Sequence, residues 1–122
     1  MRRLSLAGIA EGGWLHLGHA IAAFWPRQSG FDSYYGALLG EIDHFTHRSA
    51  NGNADWYRNN DAIEEKGIDD VLFATEALRV INEHDQSKAL FLHLAFTSPH
   101  TPFQAPKEFL ERNSRGSSSS LR

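Results

Sequence analysis

Cysteine is absent from all 122 residues. That excludes disulfides, a thiol nucleophile and thiolate metal ligation, and it is compatible with either a reducing or an oxidising compartment. No stretch approaches the roughly 18 consecutive apolar residues of a membrane-crossing helix. Charge of one sign is also missing: 12 Lys+Arg stand against 15 Asp+Glu, a formal net charge of −3. Without a long basic run, neither nucleic acid nor an anionic membrane is expected as the main partner. The chain shows no internal repeat, no G-x-S-x-G elbow, no phosphate-binding loop and no G-x-G-x-x-G fingerprint.

What is present describes a globular chain. The hydrophobic share is 41%, ordinary for a folded protein, and the length supports one domain with a real core. Arg2 and Arg3 ahead of the apolar run Leu4–Ala10 have the outline of a secretion signal. Glu11 ends that run, and no clear small-x-small cleavage site follows, so an amphipathic or unstructured start is expected.

Composition divides the sequence into three parts. Residues 1–67 are rich in Gly, aromatics, His and Asn, and are broken at Gly12-Gly13, Pro26, Gly30, Gly36, Gly40 and Asn51-Gly52; this pattern predicts loops with short strands. From Asp69 to about His84 the spacing predicts a helix. Val71, Leu72, Leu78 and Ile81 share its apolar face with Ala74 and Ala77 beside them, and Asp69 or Asp70 suits its start as a cap. Asp85-Gln86-Ser87 makes the break. Ala89–Phe96 then runs almost continuously apolar, the pattern of a buried parallel strand and half of an α/β repeat. Pro106 suits the start of a short helix over 107–112, and Ser117–Ser120 read as a flexible tail.

In open parallel sheets, ligands sit beyond the carboxyl ends of the strands. The predicted strand runs into Thr97-Ser98-Pro99-His100-Thr101-Pro102, where two prolines stiffen the loop around one imidazole. His100 can bind an anion as a cation or shuttle a proton as a neutral ring; equally, it can be a turn histidine bonded to a backbone carbonyl. The pairs His16/His19 and His44/His47 have the i, i+3 spacing that suits zinc on a helix. Both lie in Gly- and aromatic-rich segments, where that spacing loses its geometric meaning. Asp32, Glu41 and Asp43 near His44 permit acid–base chemistry or an ordinary surface pair. His93, inside the apolar strand, is expected to be a core histidine, and His84 a dipole partner at a helix end.

Several segments, in order, resemble the sulfatases, and most closely their arylsulfatase B-like branch. His16-Leu17-Gly18-His19 is similar to the end of that family's G-K-W-H-L-G-H stretch, and Pro26 through Gly30-Phe31-Asp32-Ser33-Tyr34-Tyr35-Gly36 to its P-x-x-x-G-F-D-x-F-x-G stretch. Leu39–His47, Asp55–Asn59 and the helix that follows also match. The clearest likeness is Phe91–Pro102, similar to the family's apolar strand ending in A-P-H-x-P. Each motif alone is weak, and their common order makes the signal specific. The resemblance spans residues 13–112, leaving a divergent segment 1–12 and a flexible Ser-rich tail 113–122. It implies an α/β fold of the alkaline phosphatase type, with a mainly parallel sheet flanked by helices. It also implies sulfate-ester hydrolysis by a formylglycine made from the Cys or Ser of C-x-P-x-R, with calcium, a lysine and histidines holding the sulfate. On that resemblance, His16 is the catalytic histidine that bonds the formylglycine hydroxyl, and His100 is a substrate-binding histidine at the sulfate.

The departures carry equal weight. Trp14 stands in register where the family has its active-site lysine, and an indole supplies no cation to a sulfate oxygen. Neither C-x-P-x-R nor a serine equivalent occurs, and the family's paired aspartates and Asp-Asn metal ligands have no counterpart, so no metal ligand is assigned. Two readings follow. In one, the chain is the middle of an arylsulfatase-type sulfuric ester hydrolase, inactive without the remainder of that domain. In the other, it is a non-catalytic remnant that binds anionic glycans or a protein. The expected partner is a sulfate ester, sulfated glycans among the candidates. The family's lysosomal, secreted or periplasmic setting gives no compartment for this chain. A central parallel strand without neighbours is expected to leave the isolated chain marginally stable and prone to aggregate.

Overall fold

The computed structural model describes residues 19–114. His16 and Trp14, and the ends 1–12 and 115–122, lie outside the described residues. The aromatic-rich first part is built from turns. Two short 3-10 turns, Ala22–Phe24 and Pro26–Gln28, follow one another, with Pro26 at a first position where its missing N–H costs nothing. Gly30 takes φ of 100°, a left-handed conformation that glycine adopts freely, and turns the chain into Phe31.

Three two-residue strands follow: β1 (Tyr35–Gly36), β2 (Tyr57–Arg58) and β3 (Asp61–Ala62). They form one sheet in the order β1-β2-β3 with both pairings antiparallel. Asn59, at φ of 59°, opens the β2–β3 hairpin, and asparagine is among the few side chains that tolerate that region. Its backbone N–H donates to the Tyr34 carbonyl at 2.7 Å, while its side-chain oxygen accepts from the Tyr34 N–H at 3.2 Å. That exchange joins the hairpin to the entry of β1.

Two helices complete the fold, α1 (Asp69–Glu83) and α2 (Lys107–Ser114). Helix α1 ends at His84, and Asp85 then accepts from the Ser87 and Lys88 amides to form the expected break. The His84 ring reaches the Lys88 carbonyl at 2.8 Å, closing that turn. No helix among the described residues is long and apolar enough to cross a membrane.

The core is an aromatic box. Tyr35, Ala37, Ile42, Trp56 and Phe73 are buried together, with Ile63, Leu72 and Leu94 packed against them. Tyr35 meets the Trp56 ring at 5.3 Å and 77°, and Phe73 meets Trp56 at 5.1 Å and 33°, the edge-on and tilted arrangements that ring quadrupoles favour. A second cluster holds Tyr34 and Leu38 under Trp25, Phe31 and Tyr57. Helix α1 therefore turns a different face inward from the one its apolar spacing indicates. Asp69, Phe73, Glu76 and Ala77 are buried, whereas Val71, Leu78 and Ile81 are 59%, 61% and 44% exposed. The reason is partnership. Phe73 fills the aromatic box, and Glu76 is neutralised by Arg58 at 2.8 Å and by Arg79.

The sheet also differs from expectation: the one observed is antiparallel, and a parallel sheet is not seen among the described residues. Residues 89–96 pair with no described segment. Leu90, Leu92 and Leu94 are partly buried while Phe91 and His93 are exposed, the period-two pattern of an extended chain covered on one face. His93 is thus an exposed histidine, not a core one, because no layer covers that second face.

This packing separates two apolar residues of α1 that sequence spacing treats alike. Phe73→Ala is expected to cost about 3–5 kcal/mol, as for other buried aromatic truncations. Leu78→Lys should change stability by less than about 0.5 kcal/mol, as at an exposed position. Urea unfolding of the two variants checks this; the opposite ranking would contradict the observed helix orientation.

Candidate functional site

The first turn of α1 carries the most buried carboxylate of the described chain. Asp69 is 0% exposed and His44, opposite it, 1%. His44 Nδ1 lies 2.7 Å from Asp69 Oδ2. The Asp69 backbone N–H donates to the His44 carbonyl at 3.0 Å, so main chain and side chain hold the same pair. Thr97 donates its hydroxyl to the same Oδ2 in a short hydrogen bond, and the Asp70 N–H donates to Oδ1 at 2.8 Å. The expected N-cap role for Asp69 or Asp70 is not observed. The cap position is Ile68, without a side-chain bond, and Asp69 turns inward to an imidazole instead.

That pair seats the His100 loop. The other ring nitrogen of His44, Nε2, lies 3.2 Å from the His100 carbonyl oxygen, and the His100 N–H donates to the Thr97 carbonyl at 2.9 Å. Gln104 fastens the far side, with its side-chain oxygen accepting the His44 N–H at 2.8 Å and its amide donating to Asp43 Oδ2 at 2.7 Å. Asp43 Oδ1 accepts from the Phe45 and Thr46 amides and from the Thr46 hydroxyl. These donors, the Gln104 amide first among them, hold the Asp43 carboxyl down at about 2. Asp43 therefore organises the loop through its hydrogen bonds.

His100 itself is partly exposed, with Nδ1 3.1 Å from the Thr101 carbonyl. The Thr101 hydroxyl lies 3.3 Å from the same nitrogen. Nε2 makes no hydrogen bond among the described residues, and is the atom left for a ligand. The turn bond foreseen as one alternative for this residue is thus observed at Nδ1. Next to the loop, Thr101 and Pro102 border a cavity of about 360 Å³ shared with Ile42, Asp43, Arg48 and Ser49.

The His44/His47 spacing does not make a shared metal site. Both His44 nitrogens are engaged, while His47 stacks on Trp56 with ring centroids 4.1 Å apart and borders a separate cavity of about 410 Å³ with Phe45, Arg48 and Lys66. Among the described residues, no three His, Cys, Asp or Glu side chains converge as metal ligands. Since His16 is outside the described residues, its pairing with His19 has no described geometry.

The two buried histidines titrate in opposite senses. Burial pulls the His44 proton affinity down, but the Asp69 carboxylate and the His100 carbonyl outweigh it, and the pKa rises above 6.5. Burial dominates at His47 and lowers its pKa below 6.5. A raised folded-state value means that the His44 contribution is complete below 6.5 and is lost as pH rises through the folded pKa. The lowered His47 value works the other way: its contribution is complete above 6.5 and is lost as pH falls toward the folded pKa.

With fold and site described, the comparisons with known proteins define a class. A solved structure, Ps i-CgsB in complex with k-i-k-neocarrahexaose, has the same fold, with a TM-score of 0.70 over 91% of this chain and 27% of that one at 24% identity. The Sulfatase family profile matches residues 16–120, and the chain belongs to the sulfatase family. Among relatives, mouse arylsulfatase J is 34% identical over 107 residues, 82% of this chain and 18% of its own length. An arylsulfatase of Klebsiella aerogenes is 31% identical over 112 residues, 85% of this chain and 24% of its own. The chain thus spans about a fifth to a quarter of the curated relatives it matches.

Removing the buried carboxylate is the direct test of this arrangement. Asp69→Ala should destabilise the chain by about 3–5 kcal/mol at pH 6, as when one partner of a buried ion pair is lost. It should also flatten the loss of stability on the alkaline side. A cost below about 1 kcal/mol with an unchanged pH profile would contradict it.

Proposed function

We propose that this chain is the part of an arylsulfatase-type sulfuric ester hydrolase that presents His100 to the sulfate group and His16 to the nucleophile, and that on its own it does not turn over substrate. The Nε2 of His100, without a hydrogen bond among the described residues and on a loop held at both ends by hydrogen bonds, carries the reading. Protonated, that nitrogen donates a charge-assisted hydrogen bond to a sulfate oxygen while Nδ1 stays on Thr101, so the ring binds without reorienting. Family membership and the arylsulfatase relatives support the reaction class. The oligosaccharide in the complex of the structural neighbour supports a sugar-borne sulfate ester as substrate.

The cofactors that the family implies do not fit the residues present. The sequence holds neither C-x-P-x-R nor S-x-P-x-R as a formylglycine precursor, and the described residues offer no three converging metal ligands. No hydrolytic step is therefore assigned to this chain. Its own chemistry is binding and orientation of an anion.

Two measurements on the 122-residue chain check this. A chromogenic aryl sulfate should show no hydrolysis above a heat-killed control. Titration with inorganic sulfate, followed by NMR of the histidine rings, should move His100 and leave His84 and His93 in place. His100→Ala should weaken sulfate binding about tenfold or more, the size of a lost charge-assisted hydrogen bond. Turnover by clean preparations would overturn the inactivity, and a silent His100 would overturn its sulfate role.

A further inference from the structure

We propose that His44 is a positioning residue that works as a doubly protonated imidazolium, bridging Asp69 on one ring nitrogen and the His100 carbonyl on the other so that the His100 loop is set only while both His44 nitrogens carry protons. The proposal rests on the reading of His100 as the sulfate-facing residue, and its core is the pairing of atoms. Nδ1 faces a carboxylate oxygen at 2.7 Å and Nε2 faces a peptide carbonyl oxygen at 3.2 Å. A neutral imidazole has one donor and one acceptor nitrogen, and a carbonyl oxygen can only accept. With Asp69 ionised, both contacts are hydrogen bonds only if the ring is a cation.

Two donors other than His44 face the Asp69 carboxyl group: the Asp70 N–H on Oδ1 and the Thr97 hydroxyl on Oδ2. Hydrogen bonds donated to a carboxyl group favour its charged form. The ring is 1% and the carboxylate 0% exposed, so water cannot substitute for either partner, and an unpaired charge here would be severely penalised.

The charged and titratable groups around His44 come from each packed element. Helix α1 supplies Asp69 and Asp70, whose negative charges both favour the cation. The loop of His44 itself supplies Asp43, occupied by Gln104, Phe45 and Thr46, and His47, whose pKa is lowered by burial and whose ring stacks on Trp56. Segment 97–104 supplies the Thr97 hydroxyl, the His100 carbonyl and the Gln104 side-chain oxygen on the His44 backbone N–H. None of these can donate a hydrogen to a bare Nε2. Once His44 loses a proton and keeps Nδ1–H on Asp69, a nitrogen lone pair confronts a carbonyl lone pair at 3.2 Å. The His100 peptide must then move away, and the ring that meets the sulfate moves with it.

Ring-nitrogen NMR of the full chain labelled with 15N-histidine tests this, with inorganic sulfate as the binding probe. At pH 6, both His44 nitrogens are expected at protonated positions. On raising the pH, loss of one proton should shift the Thr97, His100 and Thr101 amides with the same midpoint, while the Trp56 indole stays put. His44→Gln should abolish that linked shift and weaken sulfate binding about three- to tenfold, the net size of one hydrogen bond. A bare His44 nitrogen at pH 6, loop amides that do not follow the His44 midpoint, or a loop equally open to exchange at every pH would each overturn the proposal. Two protonated nitrogens with a His100 that ignores sulfate would uphold the clamp and overturn only the sulfate role of His100.

Discussion

A carboxyl group with no exposure at the start of a helix needs polar partners, and Asp69 finds its principal one in His44 at 2.7 Å. The rest of the described structure is arranged around that requirement. The pair joins segments 25 residues apart, and Thr97, a further 28 residues on, adds its hydroxyl to the same oxygen. Three stretches with little regular structure between them are thereby brought to one point, where a polar network fully supplied with partners imposes a unique arrangement. The aromatic box beside it supplies apolar burial without direction. The pair supplies direction, because only one placement of the loop at 97–104 satisfies both nitrogens of one ring.

A loop with almost no secondary structure is thereby tied down at several points. His100 is fixed through its own peptide groups, N–H to Thr97 and carbonyl to His44, and its ring adds a bond from Nδ1 to Thr101. Nε2 makes no hydrogen bond among the described residues. Gln104 acts as a second fastening through Asp43 and the His44 amide. The exposed faces tell a complementary story: Val71, Leu78 and Ile81 on α1, with Phe91 and Phe96 beyond it, remain apolar and uncovered among the described residues. These surfaces belong to a chain that spans about a fifth to a quarter of relatives such as the two arylsulfatases.

Local features were legible in the sequence and long-range ones were not. Helix α1 runs Asp69–Glu83 where spacing predicts Asp69 to about His84, and the Asp85–Lys88 break falls as its polar residues indicate. The sulfatase likeness, carried by short motifs in order, names the same family as the profile that matches residues 16–120. What escaped was everything that depends on a distant partner. Asp69 looked like a cap because its local position suits one, and nothing near it in sequence announces His44. The inward face of α1 was misread because Glu76 is polar by type, yet Arg58 and Arg79 make its burial tolerable. Likewise, the apolar run at 89–96 indicates burial on both faces, but such a strand owes its second covering layer to other segments.

The central claim is that His44 and Asp69 act as one unit. A double-mutant cycle built from His44→Ala, Asp69→Ala and the double variant, with stability measured at pH 6, tests it most directly. Residues in one buried network couple by about 0.5–3 kcal/mol, and the account predicts a value in the upper half of that range, with the double variant costing little more than either single one. Additive losses, with a coupling below about 0.3 kcal/mol, would mean that the two side chains are neighbours without being partners and would contradict the account.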